Sequence, residues 1–380
     1  MSLKILKDIT SIGISDIIVA VIGAGFWLYI ASLLDAEEYG EVSLFISLAS
    51  IGAAIAVLGT RNTIVIYEAK KIDLRRFLFT ISLIGGLIVT IILFLIYQRF
   101  EIIILVFGFI LAELSFGFLL GKKLFQKYAK VIIFQKALMV LFGIVGYFLI
   151  GIEGIVFGIG LSYFPLVYIF YKGFQKSKMN LPLFKKHSGF IANNYILVLF
   201  GHVKGNLDKI IIAPLIGFAA LGNYALAFQI YLVLMIFSNI IYKYSLPHDA
   251  EKGLPNKIRI LTLAGATIMV LFGVFIIPII ILEFFPKFDE AIEIIPILSL
   301  AVIPNTVIQI FKSKYLGKEE SKFVLSGGII SAGTYILFIF ILMPYFQIVG
   351  VALGFLISAI ITAIFYLIIF LHGNKKKTKI

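Results

Sequence analysis

The chain has 380 residues, of which 61% are hydrophobic, 15% aromatic and 14% charged, with a formal net charge of +13. A soluble domain carries about 25% charged residues, and here apolar runs recur from residue 12 to residue 371 with only short polar breaks. That composition excludes a string of soluble domains and makes the bilayer the solvent. Zero cysteines exclude a disulfide framework, a thiolate metal site and a cysteine nucleophile, and His187, His202, His248 and His372 are too scattered to form a ligand cluster, so no metal or cofactor is expected.

Taken in chain order, apolar runs of about 20 residues predict spanning helices at 12–34, 42–66, 77–97, 102–121, 131–150 and 152–171. Six more follow at 190–215, 219–244, 260–284, 291–311, 323–343 and 347–371. The expected architecture is therefore an all-α polytopic membrane protein of about twelve helices. Its parts are a six-helix bundle over 1–171, a basic linker over 172–189, a second six-helix bundle over 190–371 and a basic tail over 372–380. Residues 1–11 read as a short amphipathic segment at the membrane interface. The first apolar run lacks a small-residue cleavage site and is expected to remain as a span.

Lysine and arginine set the expected orientation, because basic residues flanking spans stay in the cytoplasm. With the N-terminus inside, the basic segments fall at 4–7, 70–76, 122–130, 172–186, 243–259, 312–322 and 375–379, while the opposite face has only Arg99 and Lys287. Acidic residues lean to that outer face, at Asp35, Glu37, Glu38, Glu41, Glu101, Glu153, Glu283, Asp289, Glu290 and Glu293. Dispersal of the positive charge over seven segments argues against nucleic acid as a partner and for the surface of a bilayer. Both termini are expected in the cytoplasm.

Local patterns recur across the central linker. Glu38-Tyr39-Gly40 follows the first span, as Ala220-Leu221-Gly222-Asn223-Tyr224 follows the seventh; Gly154-Ile155-Val156-Phe157-Gly158 opens the sixth span, as Gly350-Val351-Ala352-Leu353-Gly354 opens the twelfth. Two parallel six-helix repeats about an axis along the membrane normal are a transporter signature.

At these residues the sequence resembles the polysaccharide flippases (O-antigen and capsule type) of the multidrug/oligosaccharidyl-lipid/polysaccharide superfamily. The resemblance runs through Ala31-Ser32-Leu33-Leu34-Asp35-Ala36-Glu37-Glu38-Tyr39-Gly40 and Gly59-Thr60-Arg61-Asn62. It continues through Asp208-Lys209-Ile210-Ile211-Ile212, Gly217, Leu221-Gly222-Asn223-Tyr224-Ala225 and Pro247. It ends with Phe285-Pro286-Lys287-Phe288-Asp289-Glu290-Ala291, Gly317-Lys318, Pro344 and Gly350-Val351-Ala352. The extramembrane loops are minimal, and the first turn has Glu41-Val42 where its repeat has Asn223-Tyr224. The resemblance implies a MATE-like fold with pseudo-twofold symmetry and a non-enzymatic flippase. Its cargo would be a polyprenyl-diphosphate-linked oligosaccharide, moved from the inner to the outer leaflet of the cell membrane by alternating access during polysaccharide biosynthesis. H+ or Na+ would be the coupling ion, and polysaccharide polymerases or glycosyltransferases would be neighbours.

Ionisable residues inside spans cost about 2.5–3.5 kcal/mol each on insertion scales, so each needs a partner, a wet cavity or a route to the headgroups. The candidates are Asp16, Arg61, Glu113, Lys136, His202, Lys204, Asp208 and Lys209. Arg61 and Lys136 lie within reach of the headgroups, so snorkelling competes with function, and Asp16 reads as interfacial. Glu113 either pairs with Lys136 or exchanges a proton during transport. Lys204 and Asp208, four residues apart, share a helix face and read as an ion pair. Alternatively, Lys204, Lys209 and Arg61 present positive charge to a diphosphate in a cavity, with Asn193, Asn194 and Asn206 for sugar hydroxyls. Gly201 and Gly205 would let the seventh span bend or approach a neighbour. Two rivals remain: a multidrug or metabolite exporter of the same superfamily, which would want an acidic cavity, and an integral-membrane glycosyltransferase or polymerase, which would want a sizeable outer loop.

Overall fold

The computed structural model describes residues 3–58, 60–175, 177–251, 255–317 and 320–377. Gly59, Lys318, Lys379, the side chains of residues 1–12, of Lys204 and Pro247 and of the tail lysines fall outside them, and with these the interfacial face expected for residues 1–11. Among the described residues the chain is helical, with no strand, and it divides into two compact units: residues 1–30 with 41–211, and residues 31–40 with 212–380.

The first unit is built from α1 (Leu3–Leu33), α2 (Ala36–Ala56), α3 (Arg61–Ala69), α4 (Arg75–Tyr97), α5 (Phe100–Gly121), α6 (Phe125–Ile150), α7 (Ile152–Leu161), α8 (Leu166–Gln175) and α9 (Leu181–Ile216). Its centre is α5, which is mostly buried where α4 and α6 are mostly exposed. Ile84, Leu87, Ile88, Ile91, Ile92 and Leu95 of α4 point outward, a face that water would not tolerate and that lipid covers at no cost.

Two expected spans are broken in this unit. The run 42–66 stops at Ala56 and resumes at Arg61, with the Thr60 hydroxyl capping α3 by accepting from the Thr63 amide at 3.3 Å. A threonine before a new helix satisfies one of the amides that a helix start leaves orphaned. The run 152–171 divides into α7 and α8 across a turn at 162–165 that contains Pro165, a residue unable to supply a helical amide. At one end of the unit Arg99 is shared by three carboxylates. It donates from Nη2 to Glu41 and from Nη1 to Glu153 at 2.6 Å, and stands 3.5 Å from Glu101. Burial works to lower the Arg99 pKa, but the hydrogen bond to Glu153 and the charges of Glu41, Glu101 and Glu153 outweigh it and raise the group above its ordinary value.

The second unit is built from α10 (Phe218–Leu234), α11 (Ile236–Glu251), α12 (Asn256–Leu271), a π-helical segment (Phe272–Ile276), α13 (Ile277–Phe284), α14 (Asp289–Leu300), α15 (Val302–Gly317) and α16 (Ser321–Lys377). The expected span 219–244 is the bent pair α10–α11, with a 44° angle between them. Helix α16 is broken at Gln347 (φ 48°, ψ −127°) into the two spans expected at 323–343 and 347–371. Residues 31–40 belong here. Asp35 and Glu38 form a reciprocal capping box, the Glu38 amide donating to Asp35 Oδ1 at 2.9 Å and the Asp35 amide to Glu38 Oε2 at 3.2 Å. These two carboxylates of the acidic outer-face set thus satisfy the start of α2.

The repeat read from sequence has a backbone counterpart. Gly151 (φ 74°) and Gln347 (φ 48°) each turn the chain three residues before Gly154 and Gly350, and a Cβ at either of those glycines would run into a carbonyl of the preceding helix, at Gly146 and Leu342. Likewise, a Cβ on Gly40 would strike the Phe218 carbonyl and one on Gly222 the Ala36 carbonyl. Small residues permit these approaches where no hydrophobic force drives helices together.

Among the described residues nine helices are long and apolar enough to cross a membrane, or ten with the bent pair counted as one span. The interrupted α16 accounts for two of the twelve expected spans. Helix α9, the expected seventh, is not among the nine, because His202, Lys204, Asn206, Asp208 and Lys209 break its apolar sequence.

Candidate functional site

The break between α2 and α3 opens a cavity of about 230 Å³ inside the first unit. Its polar wall is Arg61 at the first turn of α3, Glu113 in the middle of α5, Gln135 and Lys136 on α6 and His202 on α9, set among Ala53, Ala54, Phe109 and Phe116. Arg61 Nη2 donates to Glu113 Oε1 at 2.6 Å, the guanidinium lies 5.5 Å from the Phe116 ring centre, and Arg61 Nε is buried with no hydrogen-bond acceptor among the described residues. The partner of Glu113 is therefore Arg61 and not Lys136, whose Nζ instead sits 3.4 Å from Met139 Sδ. A long side chain at the start of α3 reaches across to α5 because Thr60 ends the break and aims the first turn at the cavity.

Two cations and one carboxylate thus share a largely apolar hollow at a helix N-terminus. Broken helices that point their N-termini into a cavity favour anions, through both exposed amides and the helix dipole. Ser50 adds a hydroxyl 3.2 Å from His202 Nδ1, and Asn206 Nδ2 donates to Ser50 Oγ at 3.3 Å and to the His202 carbonyl at 3.0 Å.

The remaining candidates lie elsewhere. Asp208 is buried and accepts from the Lys209 amide at 2.9 Å, and Lys209 Nζ turns back to the Gly205 carbonyl at 3.4 Å. Asn194 donates to the Phe190 carbonyl at 3.0 Å, Asn193 is exposed and Asp16 is half-buried on α1. The Lys204 side chain falls outside the described residues, and with it the expected pair with Asp208. Among the described residues a Cβ on Gly201 or Gly205 would meet nothing within 4 Å, so no close approach is seen at these glycines. Sequence reasoning missed Ser50, Gln135 and Tyr163. Gln135 Nε2 donates to Ser162 Oγ at 2.8 Å, and an uncharged amide buried in an otherwise apolar span was the signal that could have found it.

The sequence matches no family model and no curated protein. Solved structures match over almost the whole chain. An inward-facing multidrug resistance MATE family transporter of the MOP superfamily aligns with TM-score 0.71 at 14% identity, over 95% of this chain and 94% of that one. The lipid II flippase MurJ in an inward closed conformation gives TM-score 0.71 at 15% identity, over 94% and 86%. An outward-facing MATE transporter gives 0.62 at 16% identity, over 98% and 96%. The chain has the fold shared by these MATE and MurJ structures. At these identities the likeness establishes architecture, and with the apolar helices it makes the chain a multi-pass membrane protein.

Proposed function

We propose that this protein is a flippase that carries a polyprenyl-diphosphate-linked oligosaccharide from the inner to the outer leaflet of the cell membrane by alternating access, serving polysaccharide biosynthesis and export. The observation that carries the reading is the charge of the cavity, where Arg61 and Lys136 face a single carboxylate, Glu113. A diphosphate needs cations in a low-dielectric site, and a cationic drug would be repelled there, which disfavours the multidrug-exporter alternative. At about 230 Å³ the cavity is smaller than those that enclose drug-sized ligands. It would hold the diphosphate end, with the polyprenyl tail left in lipid and the glycan beyond it.

In this reading alternating access carries the cargo across, both termini lie in the cytoplasm, and Lys204 and Lys209 are further cations of α9 for the diphosphate. Glu113 competes with the diphosphate for Arg61, so engaging the anion frees the carboxylate for a coupling ion, with H+ and Na+ the two to test. One structural neighbour is itself named a lipid II flippase, which supports a lipid-borne cargo. A glycosyltransferase or polymerase reading has no support in this fold.

Equilibrium binding separates the readings. The purified protein should bind an undecaprenyl-diphosphate oligosaccharide at least about tenfold more tightly than a lipophilic cationic dye, and Arg61→Gln should remove that preference. Preference for the dye would overturn the proposal.

A further inference from the structure

A second cleft, sharing no residue with the first, lies in the same unit where the start of α4, the end of α5, the start of α6 and the end of α8 meet, and its volume is about 520 Å³. Its walls carry four cations, Arg75, Lys122, Lys127 and Lys172, over a floor that includes Phe118 and Ile169. Arg75 is buried and fixed: its Nε lies 2.6 Å from Glu68 Oε1, its guanidinium 4.9 Å from the Phe118 ring centre and its Nη2 3.8 Å from Asp73. Glu68 is also 3.3 Å from Lys122 Nζ, so one buried carboxylate serves two cations. Lys127 and Lys172 are exposed at the mouth, Lys172 Nζ standing 4.4 Å from the Tyr168 ring centre. Positive charge therefore exceeds negative in a cleft whose base is apolar.

The mouth adjoins an exposed apolar surface. Leu124 at its edge is exposed, as are Phe164, Tyr168 and Tyr171 leading up to Lys172. An apolar flank that ends at a basic cleft matches one chemistry, a phosphodiester joined to acyl chains, with the anion among the lysines and the chains along the aromatic flank. A free phosphate would leave the floor and flank unused.

We infer that this cleft is a binding site for an anionic glycerophospholipid of the surrounding membrane, held by its headgroup between Lys127 and Lys172 above Arg75. It is separate from the cargo cavity and does not rest on the flippase reading. The occupant fills the gap between α6 and α8 and neutralises like charges there, so it acts as a structural lipid for the first unit.

The test is native mass spectrometry of the full chain, delipidated in detergent and titrated with phosphatidylglycerol, phosphatidylcholine or inorganic phosphate. The expected result is phosphatidylglycerol binding about tenfold or more tighter than phosphatidylcholine, weakened by salt. The preference should be lost in Lys127→Gln/Lys172→Gln and kept in Lys130→Gln/Lys185→Gln, both pairs being exposed positions. Equal affinity of the wild-type chain for the two lipids, an unchanged preference in the cleft variant, or displacement of phosphatidylglycerol by equimolar inorganic phosphate would each overturn the inference.

Discussion

Arg61 and Glu113 meet at 2.6 Å on the wall of the first-unit cavity, tying the first turn of α3 to the middle of α5. Their side chains are 34% and 26% exposed, so water screens the pair and its worth to stability is modest, about 1 kcal/mol or less. Its value is positional, because the carboxylate holds the guanidinium in the cavity until an anion takes its place. Glu113→Gln is expected to leave thermal stability in detergent within a few degrees of wild type and to bind the diphosphate-linked glycan at least as tightly. It should transport that cargo about tenfold more slowly, because nothing then competes the anion off Arg61. Parallel binding and transport assays read both quantities.

The turn glycines make a sharper statement about packing. Gly154 and Gly350 lie against backbone carbonyls of the preceding helices, so any side chain must push backbone apart. Gly154→Leu and Gly350→Leu should each lower stability by about 1–3 kcal/mol, and together more, as measured by fluorescence-detected melting.

Gly201 and Gly205 give the opposite expectation, since among the described residues a Cβ at either meets nothing within 4 Å. Alanine at each position should add up to about 1 kcal/mol by restricting the unfolded chain and favouring helix, with transport unchanged. Loss of transport in a well-folded double alanine variant would show that α9 must bend there.

Arg99 is the only cation within 4.0 Å of Glu41, Glu101 and Glu153 among the described residues. Its raised pKa means that its stabilising charge is complete below its ordinary value and is lost only as pH rises through the higher folded value, well above neutrality. Its contribution is therefore constant over the working range. Arg99→Gln removes it and leaves three carboxylates facing one another. The melting temperature should fall at low salt and fall less at high salt, which screens the repulsion. Equal losses at both salt concentrations would contradict a charge-based role.

The membrane architecture was legible because every span must satisfy its backbone internally and be apolar for about 20 residues, which leaves a strong linear trace. The breaks were less so. Gly59-Thr60 carries a helix-start signal inside the run 42–66, but hydropathy alone reads through it. Arg61, Glu113 and Lys136 stood out as charges in apolar sequence, yet their meeting depends on α3, α5 and α6 converging, and nothing local in the sequence encodes which of two lysine or arginine neighbours a carboxylate will take. Ser50 and Gln135 were passed over for a different reason: Gln135 was visible as an amide in an apolar span, but single neutral polar residues in spans usually bond their own helix or a neighbour without further role.

Transbilayer movement of a fluorescent undecaprenyl-diphosphate oligosaccharide in proteoliposomes tests the central claim most directly, with a lipophilic cationic dye assayed alongside. The account predicts glycolipid movement that depends on the protein, is reduced about tenfold or more by Arg61→Gln, and is not matched by the dye. Dye movement without glycolipid movement, or glycolipid movement untouched by Arg61→Gln, would contradict it.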